Sequence, residues 1–521
     1  MRARSVVLLL SLAAAACSSS SPPPQPQPAP SRASMPKLAE TTKTVEPAPG
    51  SAPARAPSAA PAAPAAAGQP ASSARGLLPA CEDFRLANGM RVFLVSDKRA
   101  PLIDVEIRVA GGSVEDAPGK EGAADMVATL LAKGAGDRDA TAFHEAVDFV
   151  GGQFATAGTR RWISVTSEFL KGDADLQMEL LADVLQRPKL DAEEFEKERK
   201  LAIDGIRQAK QQPRDIIRLY HARWFFGAHP YAKPTGGDET SLAGLTLDDV
   251  KSAAARMLAP SRTWMAVAGD FDVIEMRRRI GLRFGSWPVV QSEPPAPPAP
   301  VPPVAVPKRR GVLLVDFPTS LQTYFRFGQL GFDWKDPDYA ARYLANTILG
   351  GRFTSRLNKA LRTDSGLTYG AGSAFDDSAQ GTFYVSTYTE VLKSREAIDM
   401  AAEVTSQFMA EGLTQEEFDS ARTYIKGQYA PDTVETAAQQ AAMILALEFD
   451  GVPRDVVDKF FAHLDALTRG DVNRIVKDRF PSDDWVWTVI GPAASLREYL
   501  KKFGAVTECK LMDAGFGPAG K

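Results

Sequence analysis

The sequence predicts an α+β fold: two homologous mixed α/β lobes in tandem, each an antiparallel-rich sheet with helices packed on one face. Three observations predict it. A Pro-rich run, EPPAPPAPVPPVAVP at 293–307, divides the folded part of the chain into two similar lengths, and such a run is extended and semi-rigid. Motifs then repeat across it in one register. LDAEEF at 190–195 matches LTQEEF at 413–418 (offset 223), LTLDDV at 245–250 matches LTRGDV at 467–472 (offset 222), and WMAVAG at 264–269 matches WTVIG at 487–491 (offset 222 at the glycine). Three features in one register mark a tandem duplication. Within each half, strand-like and helix-like patterns alternate only partly, which suits a sheet with helices to one side.

The segments follow in order. Residues 1–16 read as a signal peptide, with Arg2 and Arg4 ahead of the apolar run SVVLLLSLAAAA, too short for the roughly 18 residues of a spanning helix. The run ends at Ala14-Ala15-Ala16-Cys17, which resembles the lipobox of bacterial lipoproteins, where the cysteine after the cut carries lipid. The alternative is an ordinary secretory signal with a chance cysteine. Ser18 in place of Asp implies sorting to the outer membrane, so the expectation is an exported lipoprotein on its periplasmic face, held at the membrane by the lipid anchor alone. Residues 17–75, mostly Ser, Pro, Ala and Gln with a few charges, bury too little apolar surface to offset their ordering entropy and read as a disordered tether. The first lobe spans 76–290, the linker 291–308, the second lobe 309–506, and a tail 507–521.

The first lobe opens with FRLANGMRVFLV, a hairpin signal around Asn88-Gly89. Ile103, Val105, Ile107 and Val109 alternate, so one face of that strand is buried. Helical patterns cover 121–133, 139–150, 172–187 and 191–211, with a strand near Trp162–Thr166. Asp191 and Thr414 stand as N-caps of the two repeated E-E-F helices.

Composition excludes several classes. Net charge is −3 and basic residues are dispersed, so a nucleic-acid partner is not expected. No G-x-S-x-G, C-x-x-C or P-loop pattern occurs. With Cys17 lipidated, Cys81 and Cys509 remain, one near each end of the folded body. An exported location permits a disulfide between them or leaves two free thiols. His144 and Asp148 are i, i+4 with Glu145 beside them, but a solvated helix face explains them without a third ligand. His221 and His463 have no partner visible in the sequence.

The order of hairpin, G-x-A helix, GG strand, E-E-F helix, HPYAKPTGGDETSL, LTLDDV helix and VAGDFD resembles the insulinase/pitrilysin-type (M16) zinc metallopeptidases and the related mitochondrial processing peptidases. His229 lies in a recurrent structural loop of that family. Its active members carry H-x-x-E-H on the first helix, two histidines on one face for zinc and a glutamate as base. The matching helix here reads GAADMVATLL: Asp125 stands for the first histidine, Ala128 for the base and Thr129 for the second histidine. The further glutamate ligand falls on Gly205, downstream of Glu198-Arg199, and Ala155 replaces an asparagine in GGQFATAG. These residues offer no realistic zinc shell, so no metal or other cofactor is expected in this chain.

By the same resemblance, LGGRFTSRLNKALRTDSGLTYG in the second lobe supplies an Arg and a Tyr seven residues apart, Arg362 and Tyr369, to bind a peptide backbone and a developing oxyanion. The implied function is that of a non-zinc subunit. It would contribute to metalloendopeptidase activity only as a heteromer with an H-x-x-E-H homologue that brings the zinc, acting on unfolded peptides. The alternative is a peptide-binding or structural scaffold with no part in hydrolysis.

Overall fold

The computed structural model describes residues 77–289, 302–304, 311–332, 335–375, 381–479 and 485–518. The signal segment, Cys17, the tether and most of the linker lie outside them. The first lobe contains strands β1 (Glu82–Arg85), β2 (Arg91–Ser96), β3 (Leu102–Ala110), a two-residue ribbon of β4 (Gly134–Ala135) and β5 (Arg138–Asp139), β6 (Gln153–Gly158), β7 (Trp162–Leu170) and β8 (Thr263–Gly269). Its helices are α1 (Ala123–Leu131), α2 (Ala140–Phe149), α3 (Ala174–Gln186), α4 (Ala192–Ala209), α5 (Pro213–Phe226), α6 (Glu239–Ala243), α7 (Leu247–Met257) and α8 (Val273–Phe284). The second lobe has β9 (Val312–Asp316), β10 (Gln322–Leu330), β11 (Ala371–Phe375), β12 (Thr382–Glu390), β13 (Val486–Gly491) and β14 (Val506–Lys510). Its helices are α9 (Tyr339–Asn346), α10 (Arg356–Asn358), α11 (Ser394–Glu411), α12 (Gln415–Thr433), α13 (Ala437–Asp450), α14 (Val456–Ala466), α15 (Arg469–Arg479) and α16 (Ala493–Leu500).

The two six-stranded sheets run β1-β2-β8-β3-β7-β6 and, read from the matching edge, β14-β9-β13-β10-β12-β11. Five strands correspond one to one. The sixth does not: β1 is the N-terminal arm of a hairpin, antiparallel to β2, whereas β14 is C-terminal and parallel to β9. The duplication therefore covers five strands, and each end of the chain completes one sheet on its own terms.

Each lobe's own helices cover one sheet face. Val92, Leu94, Ile103, Val105, Ile107 and Val109 pack under α1, α3, α7 and α8 in the first lobe. Val312, Leu314, Phe325, Phe327, Trp487 and Val489 pack under α9, α11, α15 and α16 in the second. The other face of each sheet is covered by a helix of the opposite lobe. Phe93, Val95, Ala266 and Ala268 of the first sheet meet Ala441, Ile444 and Leu445 of α13. Leu313, Val315 and Ile490 of the second sheet meet Ile216, Ile217 and Tyr220 of α5. Helix α13 can do this because it is apolar on two sides, with Met443 and Leu447 turned to its own lobe. Its ends are set by a Thr436/Gln439 capping box and by Gly451 in the left-handed region.

The exchanged contacts are size-matched. Arg108 pairs with Trp264 in the first sheet, and Gly328 with Val486 in the second; by the offset of 222, these are equivalent positions. Opposite the large Arg108 stands Ala442, whose carbonyl accepts from its guanidinium at 3.3 Å. Opposite Gly328 stands His221, so close that a Cβ at 328 would lie 3.1 Å from its Nε2. Polar ties ring the exchange: Arg91–Glu448 at 2.9 Å, Arg161–Asp450 at 2.5 Å and Arg454–Asp83 at 2.8 Å. The C-terminal tail continues past β14 over α5, where Leu511 and Phe516 join the Tyr220 cluster. There the buried Lys210 ammonium donates to Glu239 and to the Asp513 carbonyl, both at 2.5 Å.

Since each sheet needs the other lobe's helix, the two lobes should unfold together. Ile444→Ala should cost roughly 2–4 kcal/mol and shift one common urea transition, seen alike by tryptophan fluorescence and far-UV circular dichroism. Separate transitions for the two lobes would overturn this.

Candidate functional site

Helix α1 carries the residues aligned with a zinc motif. Gly122, with φ +96°, turns the chain into it, and the buried Asp116 caps its start, accepting from the N–H groups of Gly122 (2.8 Å) and Ala124 (3.0 Å). Burial pushes the Asp116 carboxyl up to about 7, against the pull of those donors and of Lys233. Asp125 accepts from the Gly158 N–H at 3.1 Å, at the end of the edge strand β6. It is boxed in by glycines: a Cβ at Gly158 would sit 2.6 Å from Asp125 Oδ1, and one at Gly236 3.3 Å from Oδ2. Burial raises its pKa to about 6.

Ala128, at the base position, is fully buried. Thr129 is half-buried, and Gly205 is exposed on α4. Glu198, on the same helix, is engaged by Lys133 at 2.8 Å. Among the described residues, no group of three or more His, Cys, Asp or Glu side chains stands where it could hold a metal. The positions therefore do not fit zinc: one carboxylate is spent on a backbone N–H, one position is a packed methyl, one a lone hydroxyl, and one has no side chain.

Arg362 and Tyr369 are placed differently. The chain runs through two π-helical turns, Thr347–Gly351 and Lys359–Asp364, a distortion that recurs at functional sites. Leu361 and Leu367 anchor the turn in the core. The Leu361 carbonyl accepts from both Leu367 (2.8 Å) and Thr368 (3.1 Å), and Gly366 reverses the chain at φ +62°. Thr389 Oγ1 donates to the Leu367 carbonyl at 2.7 Å, and Thr387 Oγ1 to the Gly370 carbonyl at 2.9 Å. On this fixed base the side chains of Arg362 and Tyr369 are both exposed. Tyr369 is 76% exposed, and the Arg362 guanidinium lies 4.5 Å from the centroid of the exposed Phe353 ring. Among the described residues, no hydrogen bond or ion pair holds either head, and none links them to α1 or β6.

Cys81 and Cys509 are free thiols, which corrects the pairing considered for them. Cys81 packs beside Phe93 and α13 on the first sheet, and Cys509 beside Tyr220 and α5 on the second. Burial pushes the thiols up to about 11 and about 12, so both stay protonated and unreactive at neutral pH. His221 Nδ1 meets Thr488 Oγ1 at 3.1 Å in the lobe interface. His229 accepts from the Tyr231 N–H and meets the Pro302 carbonyl through Nε2 at 2.8 Å, a structural role that also seats the described piece of the linker. His144 makes an edge-on contact with Phe143, and His463 is exposed on α14.

The sequence reading missed one acidic pair. Asp104 and Glu168 face each other across β3 and β7, on the sheet side that α13 covers. Burial first, then the charge and hydrogen bond of Glu168, push Asp104 up to about 7. A carboxyl raised above its unfolded value of 3.8 contributes stability that is complete below about pH 4 and is lost as pH rises through the folded value. Asp104→Asn should therefore melt close to the parent at pH 4 and progressively above it from pH 5 to 8. A melting difference that is flat with pH would refute this. Zinc, added or removed with a chelator, should leave the melting temperature unchanged.

The insulinase (peptidase family M16) model matches residues 91–239, and the peptidase M16 inactive-domain model matches 244–425. An uncharacterized zinc protease of Mycobacterium leprae is 27% identical over 352 residues, covering 66% of this chain and 76% of its own. The uncharacterized zinc protease YmxG of Bacillus subtilis is 21% identical over 425 residues (78% and 98%), and the non-peptidase homolog YmxG of Helicobacter pylori 22% over 384 (73% and 86%). A crystal structure of a peptidase M16 inactive domain from Pseudomonas fluorescens superimposes with a TM-score of 0.72 at 25% identity, over 79% of this chain and 98% of that one. A protease structure from Helicobacter pylori, at 19% identity and a TM-score of 0.69, covers 80% and 100% and shares the fold. With both lobes matched by models of one family and the paired-sheet fold common to its structures, the chain belongs to the insulinase-type peptidase family M16.

Proposed function

We propose that this chain is a non-catalytic subunit that pairs with a homologue carrying H-x-x-E-H. It would supply Arg362, Tyr369 and half of a chamber in which unfolded peptides are cleaved. One observation carries the reading: the helix that would hold zinc is packed and capped without it, while the Arg and Tyr stand exposed on a braced turn. Such a pair is complete only against a surface from another chain. The guanidinium offers fixed donors to a peptide backbone, and the phenol a donor to a developing oxyanion. Strand β6 adds a second support. Among the described residues it pairs with β7 alone, leaving an edge rich in Ala and Gly to which an extended peptide could add as a strand. Attachment through a lipidated Cys17 would place this work at the periplasmic face of the outer membrane.

A second reading, a peptide binder without hydrolysis, is favoured by the Helicobacter pylori relative named a non-peptidase homolog. Native purification from the cell envelope with zinc quantification separates the two. A stoichiometric H-x-x-E-H partner supports the first reading; recovery alone or as a zinc-free oligomer supports the second. In the reconstituted pair, Arg362→Ala should lower kcat/KM roughly tenfold to a hundredfold, and Tyr369→Phe about a hundredfold, with zinc content unchanged. Full turnover in both variants would sink the proposal.

A further inference from the structure

Among the described residues, the surface around Arg362 holds more positive charge than its acids neutralise. Residues 352–364 carry Arg352, Arg356, Lys359 and Arg362 against Asp364 alone, and the second acid beside them is Glu417 of α12. Both acids are already engaged. Lys359 takes Asp364 at 2.5 Å, and Arg356 takes Glu417 through two nitrogens at 2.6 and 2.7 Å. Arg352 and Arg362 are left with no carboxylate among the described residues.

Arg352 is the telling member. Its Nη1 donates to Ser420 Oγ at 3.0 Å, and its guanidinium lies 5.8 Å from the Tyr424 ring centroid. Its Nε is buried without a hydrogen-bond partner. Burial draws its pKa below the usual guanidinium range, with Tyr424 and Glu417 opposing. A half-buried cation with no carboxylate among the described residues is costly as it stands, and an anion arriving at the part of the residue that faces solvent would relieve that cost. The backbone here is held: Ser355 N–H donates to the Arg352 carbonyl at 3.1 Å, and Asn358 Nδ2 to the Phe353 carbonyl at 2.6 Å. This keeps Phe353, the ring under Arg362, 58% exposed beside it.

We infer that Arg352 and Arg362, flanking the exposed Phe353, recognise a carboxylate on an extended peptide whose apolar neighbours rest on Phe353 and Tyr424. This rests on the reading that this surface meets a peptide, and it adds the class: acidic and apolar residues in alternation. The carboxylate could belong to an acidic side chain or to the peptide's C-terminus, since a guanidinium fork serves both.

The test uses the folded chain alone and three short peptides in a titration at low salt. One has a Leu-Glu-Leu centre with both ends blocked, one has Gln for Glu, and one is the Gln peptide with a free C-terminus. The Glu peptide should bind about tenfold tighter than the blocked Gln peptide, and the preference should shrink as salt is raised. Arg352→Gln and Arg362→Gln should each abolish the preference while melting like the parent, and Arg207→Gln should keep it. Tighter binding of the free-ended Gln peptide than of its blocked form would assign the patch to a chain terminus, still as a carboxylate site. Equal affinities, no binding of any peptide, or a preference that survives Arg352→Gln would overturn the inference. Turnover of the reconstituted pair stays a separate readout. No charge preference with Arg362→Ala still slowing turnover would remove this inference alone, and the reverse pattern would remove the subunit reading alone.

Discussion

The reciprocal exchange of α5 and α13 is the constraint on which the rest of the structure depends. A sheet with one face covered by its own helices still exposes an apolar second face. Here that face is closed in each lobe by a helix from the other, with Ile444 and Leu445 over the first sheet and Ile217 and Tyr220 over the second. Burying each such side chain is worth about 1.5–3 kcal/mol, so neither sheet is complete without both halves of the chain. The chain ends follow the same logic. β1 reaches the turn that follows α13, where Asp83 pairs with Arg454, and the tail after β14 crosses α5, where Tyr220 donates to the Leu511 carbonyl at 2.8 Å.

That architecture explains how a lobe can carry a zinc-type helix without zinc. A metal bound between α1 and α4 would tie those helices together. In this chain the Lys133–Glu198 ion pair links the residues just past α1 to α4, while the Asp116 cap and the Asp125 contact to Gly158 fix α1 to its preceding loop and to β6. Ala128 adds a methyl that packs with no exposure. Together these contacts hold α1 by ordinary helix packing and capping.

Much of this was legible in the sequence. The offset of 222 residues exposed the duplication, the N-caps Asp191 and Thr414 hold their helices as capping chemistry requires, and the alternation from Ile103 to Val109 marks a buried face. The exchange was not legible. Asp104, Glu106 and Arg108 alternate with those apolar residues and read as a solvent face, because nothing local reports that a helix from beyond residue 430 covers them. His221 looked partnerless for the same reason, its contact Thr488 lying 267 residues away. Arg362 and Tyr369 were singled out through the family resemblance. Arg352 was not, since an arginine lacking a counter-ion is defined only by the acids that fail to reach it.

That lack sets the second lobe apart energetically. Several buried cations of the first lobe are matched: Arg108 with Glu106 at 2.8 Å, Arg262 with Glu115 at 2.5 Å, Lys210 with Glu239 at 2.5 Å. Pairing is what makes such burial tolerable, because an isolated charge in a poorly solvated place is paid for with no Coulombic return. At the Arg352–Arg362 turn the local acids are consumed by Arg356 and Lys359, and the aromatic rings of Phe353 and Tyr369 stand out in solvent above them. Exposed rings and unmatched guanidiniums on a braced backbone are each modestly unfavourable in the free chain, and both costs fall when an apolar, anionic ligand covers them. The two lobes thus differ: the first closes α1 by packing and capping, and the second carries the exposed rings and guanidiniums on which the proposed ligand would bind.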